Sequence, residues 1–485
     1  MKLKELFASV EVLELRADPE TELTGVCYDS RAAKPGDLFV AIRGFSSDGN
    51  RFIPNAVAAG AAVVACETTP ELDIPYVLVK DSRRALAEVS CAFFDHPAEK
   101  MKIIGVTGTS GKTTSTHLIR HILESALGAK VGMIGTNGNS IGDTLLHTEH
   151  TTPESYELQK LFARMAEEGC TYAVMEVSSH SLALSRVAGF RFHVAAFTNL
   201  SQDHLDFHGT MEEYAKAKKL LFSQCEHACI NIDDARGPYM AEGCACPVMR
   251  TSAEGPADLY AEDIELTAKG IAFTAVEGET RTETELAIPG SFSVYNALTA
   301  ISCCRMLGIP LADCAAALKT AGGVKGRVET VPTDGDYTIL IDYSHKPDAL
   351  EKVLRTLRPL TKGRLIALFG CGGDRDRAKR PIMGAVAAAE ADIVIVTSDN
   401  PRTEEPMTII EEILAGIRGT ETPYEVICDR PSAIRRAIDL AQPGDVILLA
   451  GKGHEDYQII GHEKRHLDER EVVAEYLKER EKSRI

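Results

Sequence analysis

Short apolar runs alternate with polar, glycine- and proline-containing breaks along the chain, and their spacing predicts interleaved strands and helices. Apolar runs at residues 38–42, 61–65 and 76–79 flank Asp48-Gly49-Asn50 and an alanine-rich stretch at 55–60, which predicts a small α/β unit. That unit ends near His96-Pro97-Ala98-Glu99-Lys100, a polar, proline-containing stretch that reads as a linker. Next come strands at 102–106, 131–134, 172–177, 194–198 and 228–232 and a helix at 113–127, the pattern of a mainly parallel, doubly wound sheet. Residues 264–289 are rich in strands and lead into a helix at 295–307, and Gly322, Gly323 and Gly326 mark a boundary. The last unit has strands at 338–342, 365–369, 393–397, 424–427 and 446–450 with helices between, which is Rossmann-like. The expected fold class is α/β in three domains: a small α/β N-terminal domain (1–98), a central doubly wound domain (99–326) and a C-terminal Rossmann-like domain (327–485). No repeat of about 20–50 residues argues for a solenoid.

A chain of 485 residues fits that division, since a domain typically holds roughly 100–200 residues. The net charge of −18 argues against a non-specific nucleic-acid binder or a protein held on anionic lipid, both of which need a basic face. The 13 cysteines are scattered, odd in number and include no CxxC pair, so they read as reduced thiols filling cores. Met1-Lys2-Leu3-Lys4 brings charge too early for a signal peptide, and no run reaches the ~18 apolar residues of a membrane span. A cytoplasmic protein is expected.

The chemistry collects at strand ends. Ile103 to Thr114 reads as a buried strand, a glycine-rich turn and a helix start, which is a phosphate cradle of the P-loop kind. Gly108 and Gly111 let N–H groups turn toward an anion, Lys112 can reach terminal phosphates, and Thr113 can offer a hydroxyl to Mg²⁺. The match to the standard pattern is imperfect, because Val106 stands where a glycine is usual and Gly105 lies one place too early. An ordinary strand-to-helix turn is the alternative, and the strongly apolar strand capped by Gly-Lys-Thr-Thr weighs against it. Glu176 ends another strand, where a carboxylate can hold Mg²⁺ beside a nucleotide; a helix N-cap region at Ser178-Ser179-His180 is the plainer reading. Asn199-Leu200-Ser201-Gln202-Asp203-His204 follows a third strand, and a helix beyond it carries Lys216, Lys218 and Lys219, among which residue chemistry does not choose. In the last unit four polar clusters follow strands: Asp342 to Lys346, Gly372 to Arg375, Ser398 to Arg402 and Gly451 to Glu455. Ligands of such sheets bind beyond the carboxyl ends of the strands.

Thr107-Gly108-Thr109-Ser110-Gly111-Lys112-Thr113-Thr114, Glu176-Val177-Ser178-Ser179-His180, Asn199 to Asp206 and Ala217-Lys218 together closely resemble the Mur ligases, over essentially the entire chain. These are ATP-dependent amide-bond ligases of peptidoglycan synthesis, and the variant phosphate loop is the family's own form. Tyr28-Asp29-Ser30-Arg31, Pro35 to Ala41 and Asp399-Asn400-Pro401-Arg402 are similar to those members that add meso-2,6-diaminopimelate to UDP-N-acetylmuramoyl-L-alanyl-D-glutamate. The resemblance implies phosphorylation of the D-glutamate side-chain carboxylate by ATP, then attack on the acyl phosphate by the amine. It implies ATP on residues Gly108 to Thr114, Asn296, Arg327 and Asp342, closed off when domains approach. It further implies two Mg²⁺ ions held by Thr113, Glu176, His204 and a CO₂-derived carbamate on Lys218. The nucleotide substrate would lie on Tyr28, Ser30, Phe45, Ser46, Ser47, Thr151, Thr152, Ser178 and Arg186, and Leu184 departs from the glutamine common there. Arg375, Asp399, Asn400, Pro401, Arg402, Gly451 and Glu455 would receive the amino acid, with Arg402 reading the carboxylate that lysine lacks. A monomer with no nucleic-acid or membrane partner is implied as well.

The competing readings are another ligase of the same superfamily, such as a lysine-adding or D-alanyl-D-alanine-adding enzyme or a folylpolyglutamate synthase, and a P-loop ATPase that ligates nothing. The N-terminal motifs and Asp-Asn-Pro-Arg argue against the former, and the four polar clusters of the last unit against the latter.

Overall fold

The computed structural model describes residues 1–44, 48–146 and 151–484. They group into two compact units, one of Met1–Tyr260 with Leu298–Cys314 and one of Ala261–Ala297 with Ala315–Ile485. The strands expected from apolar runs are present, with ends shifted by up to three residues.

In the first unit, a five-stranded sheet has the order Val12–Arg16, Tyr76–Val79, Val63–Cys66, Asp37–Val40, Gly25–Cys27, and only the first strand runs antiparallel. Its side chains alternate between two cores, as strand geometry requires. Leu38, Val40, Val63, Ala65 and Val77 pack with Leu86 and Val89 of the helix Ser82–Phe93, whereas Phe39, Val64 and Cys66 pack with Ile53 and Ala56. The stretch read as a linker is instead a 3₁₀ turn, Pro97–Lys100, in which Pro97 and Ala98 are buried. Ala98 and Met101 join the core of the next sheet, so the proline and charges that suggest a tether conceal two apolar residues that anchor it.

That next sheet has six parallel strands in the order Val131–Ile134, Tyr172–Glu176, Lys102–Thr107, Phe192–Phe197, Cys225–Asn231, Val248–Ser252. A hairpin of Asn139–Ile141 and Thr144–Leu146, too polar to be expected as strand, extends the edge. The central strand Lys102–Thr107 is buried after its first residue and feeds the helix Lys112–Leu127, which Gly128 ends at φ +62°. Gly105, one place early for a phosphate loop, has a packing role. A Cβ there would lie 2.6 Å from the Phe192 ring and 3.0 Å from Val177.

In the second unit a hairpin, Gly270–Glu277 with Thr280–Leu286, precedes a six-stranded sheet. The sheet order is Glu329–Val331, Thr338–Asp342, Val446–Ala450, Leu365–Phe369, Ile393–Val396, Tyr424–Val426, parallel except for the first strand. One face packs Leu340, Ala367, Phe369, Val394 and Leu448 under the helices Pro347–Leu357, Lys379–Glu390 and Pro406–Ile417. The other packs Ile339, Ile341, Ile366, Leu368 and Leu449 under Arg430–Leu440 and Glu469–Arg484. Covering both faces is what makes these strands continuous apolar runs in the sequence. All 13 cysteines are free thiols, buried apart from the half-buried Cys244, Cys246 and Cys428. No helix among the described residues is long and apolar enough to cross a membrane.

Gly105→Ala is expected to destabilise the protein by about 1–3 kcal/mol through overpacking against Phe192, read as a lower urea midpoint with an unchanged m-value.

Candidate active site

The loop of residues 108–111, expected to cradle phosphate, is held by the strand beside it. Parallel pairing of Lys102–Thr107 with Phe192–Phe197 sets Thr198 and Asn199 against residues 108–110. Thr109 N donates to Asn199 O (2.9 Å), Ser110 N to Asn199 Oδ1 (2.9 Å), and Asn199 Nδ2 and Thr198 Oγ1 donate to Ser110 O (3.1 and 2.7 Å). Ser201 N donates to Thr109 Oγ1 (3.0 Å), which also meets Tyr214 Oη at 3.1 Å. Gly108 and Gly111 take φ values of +153° and +84°, and a Cβ on Gly108 would lie 1.9 Å from Thr198 Oγ1. Lys112 curls over the loop and donates to Gly108 O (2.8 Å) and Thr109 O (2.9 Å).

Glu176 lies buried beside this loop. Its carboxylate accepts from Thr113 Oγ1 (3.0 Å) and from Thr136 N and Oγ1 (2.8 and 3.2 Å). The helix-cap role falls to Ser178 instead, whose Oγ accepts from Ser181 N (3.1 Å) at the start of Ser179–Ala183. Thr136 was not among the expected residues; the sign of it in the sequence is Gly135-Thr136-Asn137 directly after the strand Val131–Ile134.

The structure separates the three lysines. Lys216 is exposed and pairs with Glu213, and Lys219 lies over the Tyr239 ring at 4.1 Å. Lys218 is 1% exposed and donates to Gly108 O at 2.9 Å, the carbonyl that Lys112 also uses. Burial first, and the Lys112 charge second, hold its amine well below the ordinary lysine range. His204 starts the short helix Leu205–His208 at φ +53°, with its ring 4.8 Å from His180 and 6.2 Å from Tyr214. His208 bonds Ser179 Oγ (2.9 Å), and its imidazole is pushed down to about 4, mainly by burial. Among the described residues no cluster of three or more His, Cys, Asp or Glu forms a ready-made metal cage.

Of the residues expected to bind the nucleotide substrate, Tyr28 and Arg186 line a cavity of about 920 Å³ together with Glu154, Glu157 and Lys160. Tyr28 Oη donates to Glu157 (2.9 Å), and Arg186 reaches Glu154 (3.3 Å) and Thr152 O (3.1 Å). Thr152 Oγ1 donates to Glu176 O (2.9 Å), and Thr151 Oγ1 meets Thr136 Oγ1 at 3.1 Å. Ser30 lies in a turn after the strand Gly25–Cys27, and Leu184 closes the helix Ser179–Ala183. Phe45, Ser46 and Ser47 lie outside the described residues.

In the second unit, Arg375, Asp399, Asn400, Arg402, Gly451 and Glu455 line one cavity of about 620 Å³ at the carboxyl ends of the strands. Pro401 contributes backbone: a Cβ on Gly373 would lie 1.9 Å from Pro401 O, so only glycine allows this approach. Arg402 sits at φ +52° with Nη1 donating to Gly373 O (2.8 Å), and Asn400 Nδ2 donates to Glu455 Oε2 (2.9 Å). Asp342 accepts from Val328 N (2.9 Å) and from Ser344 Oγ, and burial raises its carboxyl. Arg327 lies over the Tyr343 ring at 5.4 Å, and Asn296 is buried in the helix Phe292–Met306. The sequence offered no hint that Lys452, within Gly-Lys-Gly-His-Glu, is fully buried beneath this cavity.

A clamped phosphate loop with a buried carboxylate and a buried lysine, together with a separate Rossmann-like unit bearing a charged cavity, defines a nucleotide-dependent α/β enzyme class. Family models described as "Mur ligase family, catalytic domain", "Mur ligase middle domain" and "Mur ligase, glutamate ligase domain" match residues 22–100, 106–304 and 326–453. The chain belongs to the Mur ligase family. It is 48% identical, over 99% of its length and 100% of the relative's, to UDP-N-acetylmuramoyl-L-alanyl-D-glutamate--2,6-diaminopimelate ligase of Caldanaerobacter subterraneus subsp. tengcongensis. To a protein of that name from Clostridium acetobutylicum, designated ligase 1, it is 45% identical over 99% and 100% of the two chains. A solved structure of a ligase of the same name matches with a TM-score of 0.78 at 33% identity, covering 99% of each chain. A MurF ligase from Thermotoga maritima in complex with ADP shares the fold alone, with a TM-score of 0.56 at 20% identity over 96% of this chain and 99% of that one.

Asn199→Ala removes two hydrogen bonds that shape the loop and, at about 1 kcal/mol net, should weaken ATP binding roughly fivefold in titration calorimetry while leaving the melting temperature within a few degrees.

Proposed function

We propose that this protein is an ATP-dependent ligase that joins meso-2,6-diaminopimelate to the D-glutamate side-chain carboxylate of UDP-N-acetylmuramoyl-L-alanyl-D-glutamate, making a peptidoglycan precursor. The observation that carries this reading is the 620 Å³ cavity in which Arg375 and Arg402 stand with Asn400 and Glu455. Such a set suits an amino acid with carboxylates at both ends, and the relatives that match over the full chain carry the corresponding name. Glu455 would accept an ammonium, Arg375 a carboxylate, and Arg402 the distal carboxylate absent from lysine. Lysine would leave the Arg402 guanidinium unpaired, which is the physical basis for rejecting it. Gly451 and the backbone around Asp399 and Pro401 would form the floor.

On the nucleotide side, the N–H groups of residues 108–114 would cradle phosphate, and Lys112 would leave the loop carbonyls for the γ-phosphate. Asn296, Arg327 and Asp342 would contact ATP from the second unit. Thr113, Glu176, His204 and a carbamate on Lys218 would hold Mg²⁺, which supplies charge neutralisation for the phosphate groups. The residues suit that arrangement: Thr113 and Glu176 are already joined, and Lys218 is a buried amine biased toward its neutral form, the form that reacts with CO₂. Tyr28, Ser30, Thr151, Thr152, Ser178 and Arg186 would receive the nucleotide-linked dipeptide, Arg186 facing its carboxylates, with Phe45 to Ser47 completing the uridine side. In this reading the domains are residues 1–98, 99–326 and 327–485, and the enzyme works as a cytoplasmic monomer without nucleic-acid or membrane partners.

With ATP, Mg²⁺ and UDP-N-acetylmuramoyl-L-alanyl-D-glutamate present, phosphate release should require meso-diaminopimelate, and Arg402→Ala should lower kcat/KM for it by about 100-fold or more, as loss of a charged contact implies. Release with L-lysine alone would overturn the pocket assignment, and release without an acceptor would overturn the ligase. Stripping CO₂ from the buffer should lower the rate and bicarbonate should restore it, whereas Lys218→Met should be inactive under both conditions; an activity indifferent to CO₂ would remove the carbamate from the reading.

A further inference from the structure

Lys452 is fully buried beneath the acceptor cavity, and its side chain is not part of the cavity wall. Its ammonium has three protons and lies among four oxygens: Tyr457 O at 2.7 Å, Asn400 Oδ1 at 3.2 Å, Asp399 Oδ1 at 3.3 Å and Glu455 Oε2 at 3.4 Å. Three of the four belong to residues that do line the cavity. Asn400 Oδ1 also accepts from Ile459 N (2.9 Å), so that oxygen is committed to donors and the amide nitrogen turns to Glu455 Oε2 (2.9 Å). Lys452 and Asn400 thus converge on one oxygen of Glu455, which leaves Oε1 for a ligand in the cavity. On its other side Lys452 balances Asp399, whose Oδ2 comes within 3.0 Å of where a Cβ on Gly451 would stand.

We infer that Lys452 is a positioning residue for the amino-acid acceptor: by matching Asp399 and, with Asn400, fixing Oε2 of Glu455, it leaves Oε1 of Glu455 to receive the substrate's ammonium. Without the lysine, two carboxylates share one buried corner with no cation between them, and an uncompensated buried charge is strongly unfavourable. The arrangement would then relax by turning Asn400 or Glu455 away from the cavity. None of these four residues, Lys452, Asp399, Asn400 and Glu455, is among those assigned above to ATP or the nucleotide-linked dipeptide, so the effect should be confined to one substrate. This inference rests on the acceptor-site reading above.

The test is steady-state kinetics on wild type, Lys452→Met, Asp399→Asn and the double variant Lys452→Met/Asp399→Asn, with each substrate varied in turn. Lys452→Met is expected to raise KM for meso-diaminopimelate about tenfold or more while the other two KM values stay within about twofold. The double variant should recover most of that loss, because removing the carboxylate with the cation restores the charge balance that a mere packing role would not need. An unchanged KM in Lys452→Met, a parallel rise for all three substrates, or a double variant no better than the single one would each overturn the inference. If Lys452→Met does not fold, the charge-neutral double variant decides alone: a KM for diaminopimelate within a few-fold of wild type supports it, and a rise of about tenfold overturns it. Wild type without diaminopimelate-dependent phosphate release would instead sink the acceptor reading itself.

Discussion

Two ammonium groups, Lys112 and Lys218, donate to a single carbonyl oxygen, that of Gly108. Sharing that carbonyl brings the two amines close together, and Lys218 is out of water as well. Its amine is held toward the neutral form by both facts. Two amines this close, one of them out of water, favour an anion beside them over a further cation. The surrounding architecture serves to keep these groups together. Parallel pairing of the strands Lys102–Thr107 and Phe192–Phe197 delivers Thr198 and Asn199 to the loop, and Tyr214 brings the lysine helix Met211–Lys219 against Thr109. Gly105 lets Phe192 pack onto the central strand closely enough for that pairing.

The second unit solves a different problem, that of holding several charges in one cavity without mutual cancellation. Its cationic groups are restrained by backbone carbonyls, Arg402 on Gly373 O and Lys452 on Tyr457 O. A neutral carbonyl orients a guanidinium without consuming its charge, so Arg402 remains able to bind a carboxylate. The carboxylates are restrained by Asn400 and Lys452 in turn. Fixing the groups before the ligand arrives is what converts a charged cavity into a selective one.

What was legible in the sequence follows from which interactions are local. Strands covered on both faces become unbroken apolar runs, so the sheets could be read directly, and the strand-to-helix turn at residues 107–112 was legible because its glycines lie within one turn of chain between an apolar strand and a helix. The choice among Lys216, Lys218 and Lys219 was not, because all three are equivalent until the packing of Tyr214 and Gly108 is known. Pro97 and Ala98 looked like a tether because two small apolar residues among charges carry too little periodicity to announce burial. Thr136 carries little signal of its own in the sequence, because its partner, Glu176, is distant along the chain and adjacent only through strand pairing.

Lys452 is the sharpest case. Flanked by glycines and followed by His454 and Glu455, it has the local composition of an exposed turn. Its burial arises because Val446–Ala450 runs between Thr338–Asp342 and Leu365–Phe369, which carries the following turn under residues 399–400. Gly453, at φ +54°, has no room for a Cβ beside Tyr343, so the glycine that makes the stretch look flexible is in fact required by close packing. Glycines flanking a charged residue therefore mark two opposite situations, a mobile loop or a crowded one. Only the neighbouring strands distinguish them, and here they enclose a cation whose partners are the cavity's own side chains.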